Sequence, residues 1–191
     1  ADVLIGTQMV TKGLDLPLVT LVVVISADVG LNLPDFRAPE RTFQLLTQVA
    51  GRAGRGQLAG SVILQTYQPE HYAIQAAANH DYSTFYQREI AYRQELGYPP
   101  FRRLVRLLFR FPSAQKARDE AERAAGLIRE QLRARHMSGT EIIGPAPCFF
   151  SKENDLYRWH LLLRGPDPLP ALADLRLPSG WFVDVDPVEV L

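Results

Sequence analysis

Apolar positions recur at two periods along this chain, and the switches between them predict its elements. "VLIG" (Val3–Gly6) reads as a short buried strand. "LVTLVVVIS" is β-branched and apolar at nearly every position, the pattern of a parallel strand covered on both faces by helices. "GLNLPDFRAPE" is a turn-rich loop. A helix is expected from about Pro39, with proline in its first turn. Phe43, Leu46 and Ala50 recur at helical spacing, and Gly54 and Gly56 are expected to end the helix. "SVILQTY" restores strand character. Strand, helix, strand at these lengths is α/β wiring.

From Pro69 the pattern predicts two helices, the second capped by Asp81 or Ser83 and stopped by Gly97 and Pro99-Pro100. Period-two alternation then returns in "FRRLVRLLFRF". Val105, Leu107, Phe109 and Phe111 share one face, and Arg102, Arg106 and Arg110 share the other with Leu104 and Leu108. Ser113 is placed to cap a long helix with a stripe of Ala117, Ala121, Ala124, Ile128 and Leu132. "EIIGPAPCFF" and "LYRWHLLLR" read as strands separated by a "SKEND" turn. A short helix near Pro168–Leu175 and a last strand "WFVDVD" complete the order β-α-β-β-α-β. That order is the ferredoxin-like pattern, with one sheet face under helices and one open, and the open face would display the arginine row.

Composition adds limits. The 191 residues, 47% hydrophobic and 22% charged, suit one or two globular domains. No apolar run approaches the roughly 18–20 residues of a membrane helix. "ADVLIGTQ" lacks the basic start of a signal peptide, and the single cysteine, Cys148, fits a reducing cytosol. One cysteine excludes a disulfide or a cysteine zinc site within the chain, and the four histidines are scattered. Lys and Arg balance Asp and Glu at 21 each, yet unevenly. From Tyr98 to Arg135 there are ten basic residues against four acidic, which points to an anionic partner for that block.

The densest chemistry lies in "TQVAGRAGRG", Thr47 to Gly56. In a continuous helix Gln48, Arg52 and Arg55 stand at i, i+4 and i+7 on one face. Gly51 and Gly54 beside them leave room for close approach, although each helical glycine costs about 0.8–1 kcal/mol relative to alanine. Guanidinium forks match phosphate oxygens. Upstream, Thr7 follows a strand and a glycine, where a hydroxyl and backbone amides can hold a nucleic-acid phosphate. Lys12, Gly13 and Asp15 follow in the same loop, where a carboxylate can accept from a ribose hydroxyl.

"GTQMVTKGLDLP" and "QVAGRAGR" resemble motifs V and VI of superfamily 2 helicases. With "DFRAPERTFQLLTQVAGRAGRG", "GYPPFRRL", "GPAP", "YRWHLLL" and "DVDP" in order, nearly all of the chain resembles the C-terminal part of the PriA family, bacterial primosomal proteins that restart stalled replication. The resemblance implies the C-terminal half of a RecA-like lobe over residues 1–78, a connecting helix over 79–97, and a small α+β DNA- and partner-binding domain over 98–191. It implies that Arg55 is an arginine finger, with Arg52 a second γ-phosphate contact and Gln48 on the same nucleotide-facing surface. Thr7 and Lys12 would meet the DNA backbone, and Gly13 and Asp15 would couple the nucleotide and DNA sites.

In the C-terminal domain the basic strand, with Arg102, Arg106 and Arg110, and the basic helix after it are expected to supply phosphate contacts, and the resemblance implies that this domain joins the branched-DNA surface. Arg158, with Trp159 beside it, would receive the C-terminal tail of single-stranded-DNA-binding protein, SSB. The implied partners are branched and single-stranded DNA, SSB and other primosome proteins, with no membrane, in the cytoplasm at the nucleoid. The implied cofactor is ATP with magnesium, held mainly by the first motor lobe. The family's zinc module has no counterpart here. Without a P-loop or a metal-binding carboxylate pair, the chain is expected to be a C-terminal fragment that does not hydrolyse ATP alone. Two other readings stay open: a non-enzymatic fork-binding scaffold, and another superfamily 2 helicase, for example one acting on RNA.

Overall fold

The computed structural model describes residues 3–7, 19–51 and 60–191. It is a mixed α/β structure with one parallel and one antiparallel sheet. The chain divides into two compact units, Ala1–Leu33 with Arg37–Ile90, and Pro34–Phe36 with Ala91–Leu191.

In the first unit β1 (Leu21–Val24) and β2 (Ser61–Leu64) pair in parallel, with Val23 opposite Ile63. Four helices accompany them: α1 (Asp28–Leu31), α2 (Ala38–Ala50), α3 (Tyr72–Ala78) and the first turns of α4 (Tyr82–Leu96). Phe43 and Leu46 of α2, Ala73, Ile74 and Ala77 of α3, and Phe85 of α4 form the core, and Val24 and Leu64 pack onto it. Phe43 and Phe85 stack at 4.1 Å between ring centres.

Three expectations change in this unit. Residues 3–7 form no strand, since no described strand pairs with them, and Val3, Leu4 and Ile5 are exposed. Among the described residues the sheet is covered on one face only: Leu21, Val23 and Ile63 are about half exposed on the other. α2 starts with proline in its first turn as expected, but it ends at Ala50, where Gly51 caps it and donates its N–H to the Thr47 carbonyl at 3.0 Å. Gly54 and Gly56 lie outside the described residues. The first turn of α4 is capped by Asp81, whose carboxylate accepts from the Thr84 N–H at 2.9 Å. At the other end of α4, Gly97 supplies the left-handed φ of 64° that a stopped helix needs.

The second unit comprises β3 (Arg103–Phe111), α5 (Ala114–Ala134), β4 (Glu141–Glu153), β5 (Leu156–Gly165), a 3-10 turn (Leu169–Leu172) and β6 (Trp181–Val185). Its sheet is antiparallel throughout, in the order β4-β5-β3-β6. Ser113 caps α5, accepting from the Lys116 N–H at 3.4 Å. The alanine stripe is buried as its spacing predicts, with Ala117, Ala121, Ala124 and Ile128 all fully buried and Leu132 packed at the margin. α5 lies on Val105, Leu107, Leu161 and Leu163.

The hairpin turn is tighter than "SKEND" suggested. β4 runs on through Glu153, and only Asn154 and Asp155, both with positive φ, make the turn. The short helix expected near Pro168–Leu175 is a single 3-10 turn.

Candidate functional site

The motif residues of the first unit fall mostly outside the described structure: Lys12, Gly13, Asp15, Arg52 and Arg55 all do. Thr7 is exposed. Gln48 is exposed on α2, while Phe43, Leu46 and Val49 of the same helix are buried. The helix therefore presents Gln48 outward in its last turn.

In the second unit the strand register decides which side chains meet. Leu108 of β3 lies opposite His160 of β5, and Arg110 opposite Arg158. Directly paired residues share a face. Arg106, Leu108, Arg110, Arg158 and His160 thus stand on the face away from α5.

The expected exposed row of three arginines is not formed. Arg102 precedes β3, is exposed, and donates through Nη1 to the Gly139 carbonyl at 2.7 Å. Arg110 is half-buried and lies over the Phe182 ring, 4.2 Å from its centroid. Arg106 is 7% exposed. The last residues of the chain return over it: Val190 is buried and donates its N–H to Asp35 Oδ2 at 3.1 Å, and the Leu191 carbonyl accepts from Arg106 Nη2. Arg106 Nη2 also lies 3.7 Å from the Cys148 thiol sulfur. Alternation correctly gave the face of Arg106, but that face is covered there by chain from the far end of the domain.

Arg158 joins the same buried cluster. Its side chain is 12% exposed, and its Nη1 pairs with the Glu153 carboxylate at 3.3 Å. The same nitrogen donates to the Phe150 carbonyl at 3.4 Å, and Nη2 reaches the Leu191 carbonyl at 3.5 Å. Both guanidinium groups therefore converge on one oxygen. His160 sits with them, and burial, helped by the positive charges of Arg106 and Arg158, pushes its imidazole down to about 4. Arg106 Nε, Arg158 Nε and His160 Nδ1 are buried without a hydrogen-bond partner among the described residues. Two cations and a neutral imidazole with spare buried nitrogens favour an anionic oxygen, a carboxylate or a phosphate.

Trp159 takes no part in this cluster. Adjacent strand residues point to opposite faces, and Trp159 pairs with Phe109 on the α5 side. Arg158 thus shares its face with Arg106 and His160, and Trp159 lies on the opposite face. That grouping was missed because it joins three elements: β3, β5 and the chain's last residues. Its only sequence trace is that Arg106, Arg158 and His160 occupy matching phases of two alternating strands. Arg103 was also missed: its guanidinium grips Asp186 at 2.7 and 3.1 Å and pins the chain after β6 to the start of β3.

Among the described residues no group of three or more His, Cys, Asp or Glu side chains could hold a metal ion, and no helix is long and apolar enough to cross a membrane.

Comparison with known proteins agrees along the whole chain. Residues 94–188 match the family described as Primosomal protein N C-terminal domain. Replication restart protein PriA of Bacillus subtilis is 48% identical over 164 residues, covering 86% of this chain and 20% of that protein. The same-named protein of Treponema pallidum is 44% identical over 199 residues, covering all of this chain and 30% of that protein. That of Synechocystis is 42% identical, again over all of this chain and 23% of that protein. The chain thus spans less than a third of the length of each of these relatives. It belongs to the PriA family, as a C-terminal region of it.

Proposed function

We propose that the chain is the C-terminal part of an ATP-dependent 3′-to-5′ DNA helicase that recognises branched DNA and takes part in replication restart. The observation that carries this is the likeness to replication restart proteins over the full length of the chain, "GTQMVTKG" and "QVAGRAGR" included. The first unit is read as the second half of a RecA-like lobe. A parallel strand pair with helices on one face supports this, and the bare face at Leu21, Val23 and Ile63 is where the rest of such a lobe would pack. The second unit is read as a ferredoxin-like domain. Its strand order β6-β3-β5-β4 with α5 after the first strand supports this, the second helix being reduced to one 3-10 turn.

Arg55 and Arg52, with Gln48, would meet the terminal phosphates of ATP. The donor chemistry fits, since guanidinium groups bind phosphate oxygens bidentately. Bound ATP with magnesium supplies the hydrolysis that drives translocation, and the first motor lobe would hold most of it. Thr7 and Lys12 would contact the DNA backbone, and Gly13 and Asp15 would couple the two sites. Arg102 and Arg110 would add phosphate contacts. The terminal carboxylate of the SSB tail would enter beside Arg158, with Arg106 as its buried neighbour and Trp159 on the other face. Other primosome proteins would join the assembly so formed.

The test is Arg55→Ala in the full-length protein. DNA-stimulated ATP hydrolysis should fall at least tenfold while fork binding stays within about twofold. Unchanged hydrolysis sinks the finger assignment.

A further inference from the structure

A groove of about 600 Å³ opens where α5 ends and the chain turns into β4. Arg129, Arg133 and His136 stand along it, Thr140 adds a hydroxyl, and Leu132 and Ile142 give it an apolar floor. Among the described residues no acidic side chain lines it. Its basic side chains are therefore not offset within the lining, although the chain as a whole balances basic and acidic residues at 21 each.

The arginines of α5 and its cap fall into two sets. Arg118 pairs with Glu122 at 2.8 Å, Arg123 with Glu120 at 2.7 Å, and Arg135 with Asp174. Arg129 and Arg133, which line the groove, form no ion pair among the described residues. They are exposed, at i and i+4, and so lie on one face about 6 Å apart along the helix.

Cations gather at helix C-termini to satisfy the last carbonyls, but that need is met otherwise here. The Gln131, Leu132 and Arg133 carbonyls accept from the backbone N–H groups of Arg135, Met137 and His136 at 2.9–3.1 Å. A third cation stands behind the loop, where Arg102 donates to the Gly139 carbonyl at 2.7 Å. The loop that carries Thr140 is therefore anchored from outside the groove.

From this geometry we infer that the groove binds the phosphodiester backbone of a DNA strand, with Arg129 and Arg133 on the phosphates and Leu132 and Ile142 against the sugar. The inference rests on the DNA-binding reading above and names a site for it away from the Arg158 cluster. Contacts of this kind carry no base preference and weaken steeply with salt.

The test uses the full-length protein and a fluorescein-labelled forked DNA, titrated at several salt concentrations. Arg129→Gln/Arg133→Gln should weaken binding about tenfold and lower the salt slope by about one to two. Arg118→Gln, which removes a paired arginine of the same helix, should leave both within about twofold. Arg129→Lys/Arg133→Lys keeps the charges and should stay within about threefold of the parent, which guards against a loss of fold in the Gln pair. Fork binding by the Gln pair equal to the parent's overturns the groove and leaves the DNA reading standing. A parent that binds no fork overturns both. A Gln pair that loses only an acidic peptide, poly-glutamate, while holding the fork normally would also overturn it.

Discussion

The two units solve the burial of a sheet in opposite ways. In the second, β3 runs through the middle of four strands, and Leu104, Val105 and Leu107 are at most 1% exposed. Even its charged Arg106 is enclosed. In the first, two apolar strands have, among the described residues, helices on one face only, and Leu21 and Val23 remain about half exposed. Hydrophobicity along a strand is thus the same signal in both, and it reports the capacity to be buried, not the burial itself. The second unit is closed by its own helix and its own returning chain. The first presents an apolar face of the kind that further protein would cover.

The largest effect expected from this contrast is in the closed core. Leu161→Ala should destabilise the second unit by about 2–5 kcal/mol, read from denaturant unfolding. A loss under about 1 kcal/mol would mean that this core is no tighter than the open sheet.

The enclosed cluster gives the next test. The His160 imidazole is held down to about 4, against 6.5 in an unfolded chain, by burial and by Arg106 and Arg158. As pH falls below 6.5 the unfolded state takes up a proton that the folded state refuses until near 4. The contribution of His160 to stability should therefore drop across that window, by on the order of 2 kcal/mol after allowance for partial exposure, and level off below it. His160→Gln should remove this part of the drop in melting temperature between pH 7 and pH 4. Parallel curves for variant and parent would show that the cluster does not resist protonation.

Helix caps separate the units by a smaller margin. Asp81 takes the Thr84 N–H at 2.9 Å, whereas Ser113 takes the Lys116 N–H at 3.4 Å. Asp81→Ala should cost about 1–2 kcal/mol and Ser113→Ala about 0.5–1 kcal/mol, by thermal unfolding. The reverse order would break the link between bond length and cap strength. Smallest of all, Leu21→Ser should change the stability of this chain by less than about 1 kcal/mol, because half the side chain already meets solvent. A change as large as that at Leu161 would erase the contrast between the units.

Local rules carried much of the second unit. Ser113 as a cap, the alanine stripe of α5 and the alternation of β3 need only neighbours in sequence, so they were legible in advance. Gly51 ending α2, the tight Asn154-Asp155 turn and the single 3-10 turn were missed, since helix and strand ends depend on partners beyond the local pattern. At the site, alternation placed Arg106 on the correct face, yet it is the return of Val190 and Leu191 that buries it. "RW" placed Arg158 and Trp159 side by side in the chain, and the pleat sent them to opposite sides of the sheet.

By itself the sequence determined the family, the element order of the second unit and the presence of phosphate-matching arginines, because motifs and periodicities are properties of consecutive residues. The tertiary structure alone decided which arginines are enclosed, which are paired and which stand free along a groove. Those states depend on chain beyond the local pattern: the last residues over Arg106, Glu153 across the hairpin from Arg158, Asp174 beside Arg135, and, among the described residues, no carboxylate lining the groove beside Arg129 and Arg133.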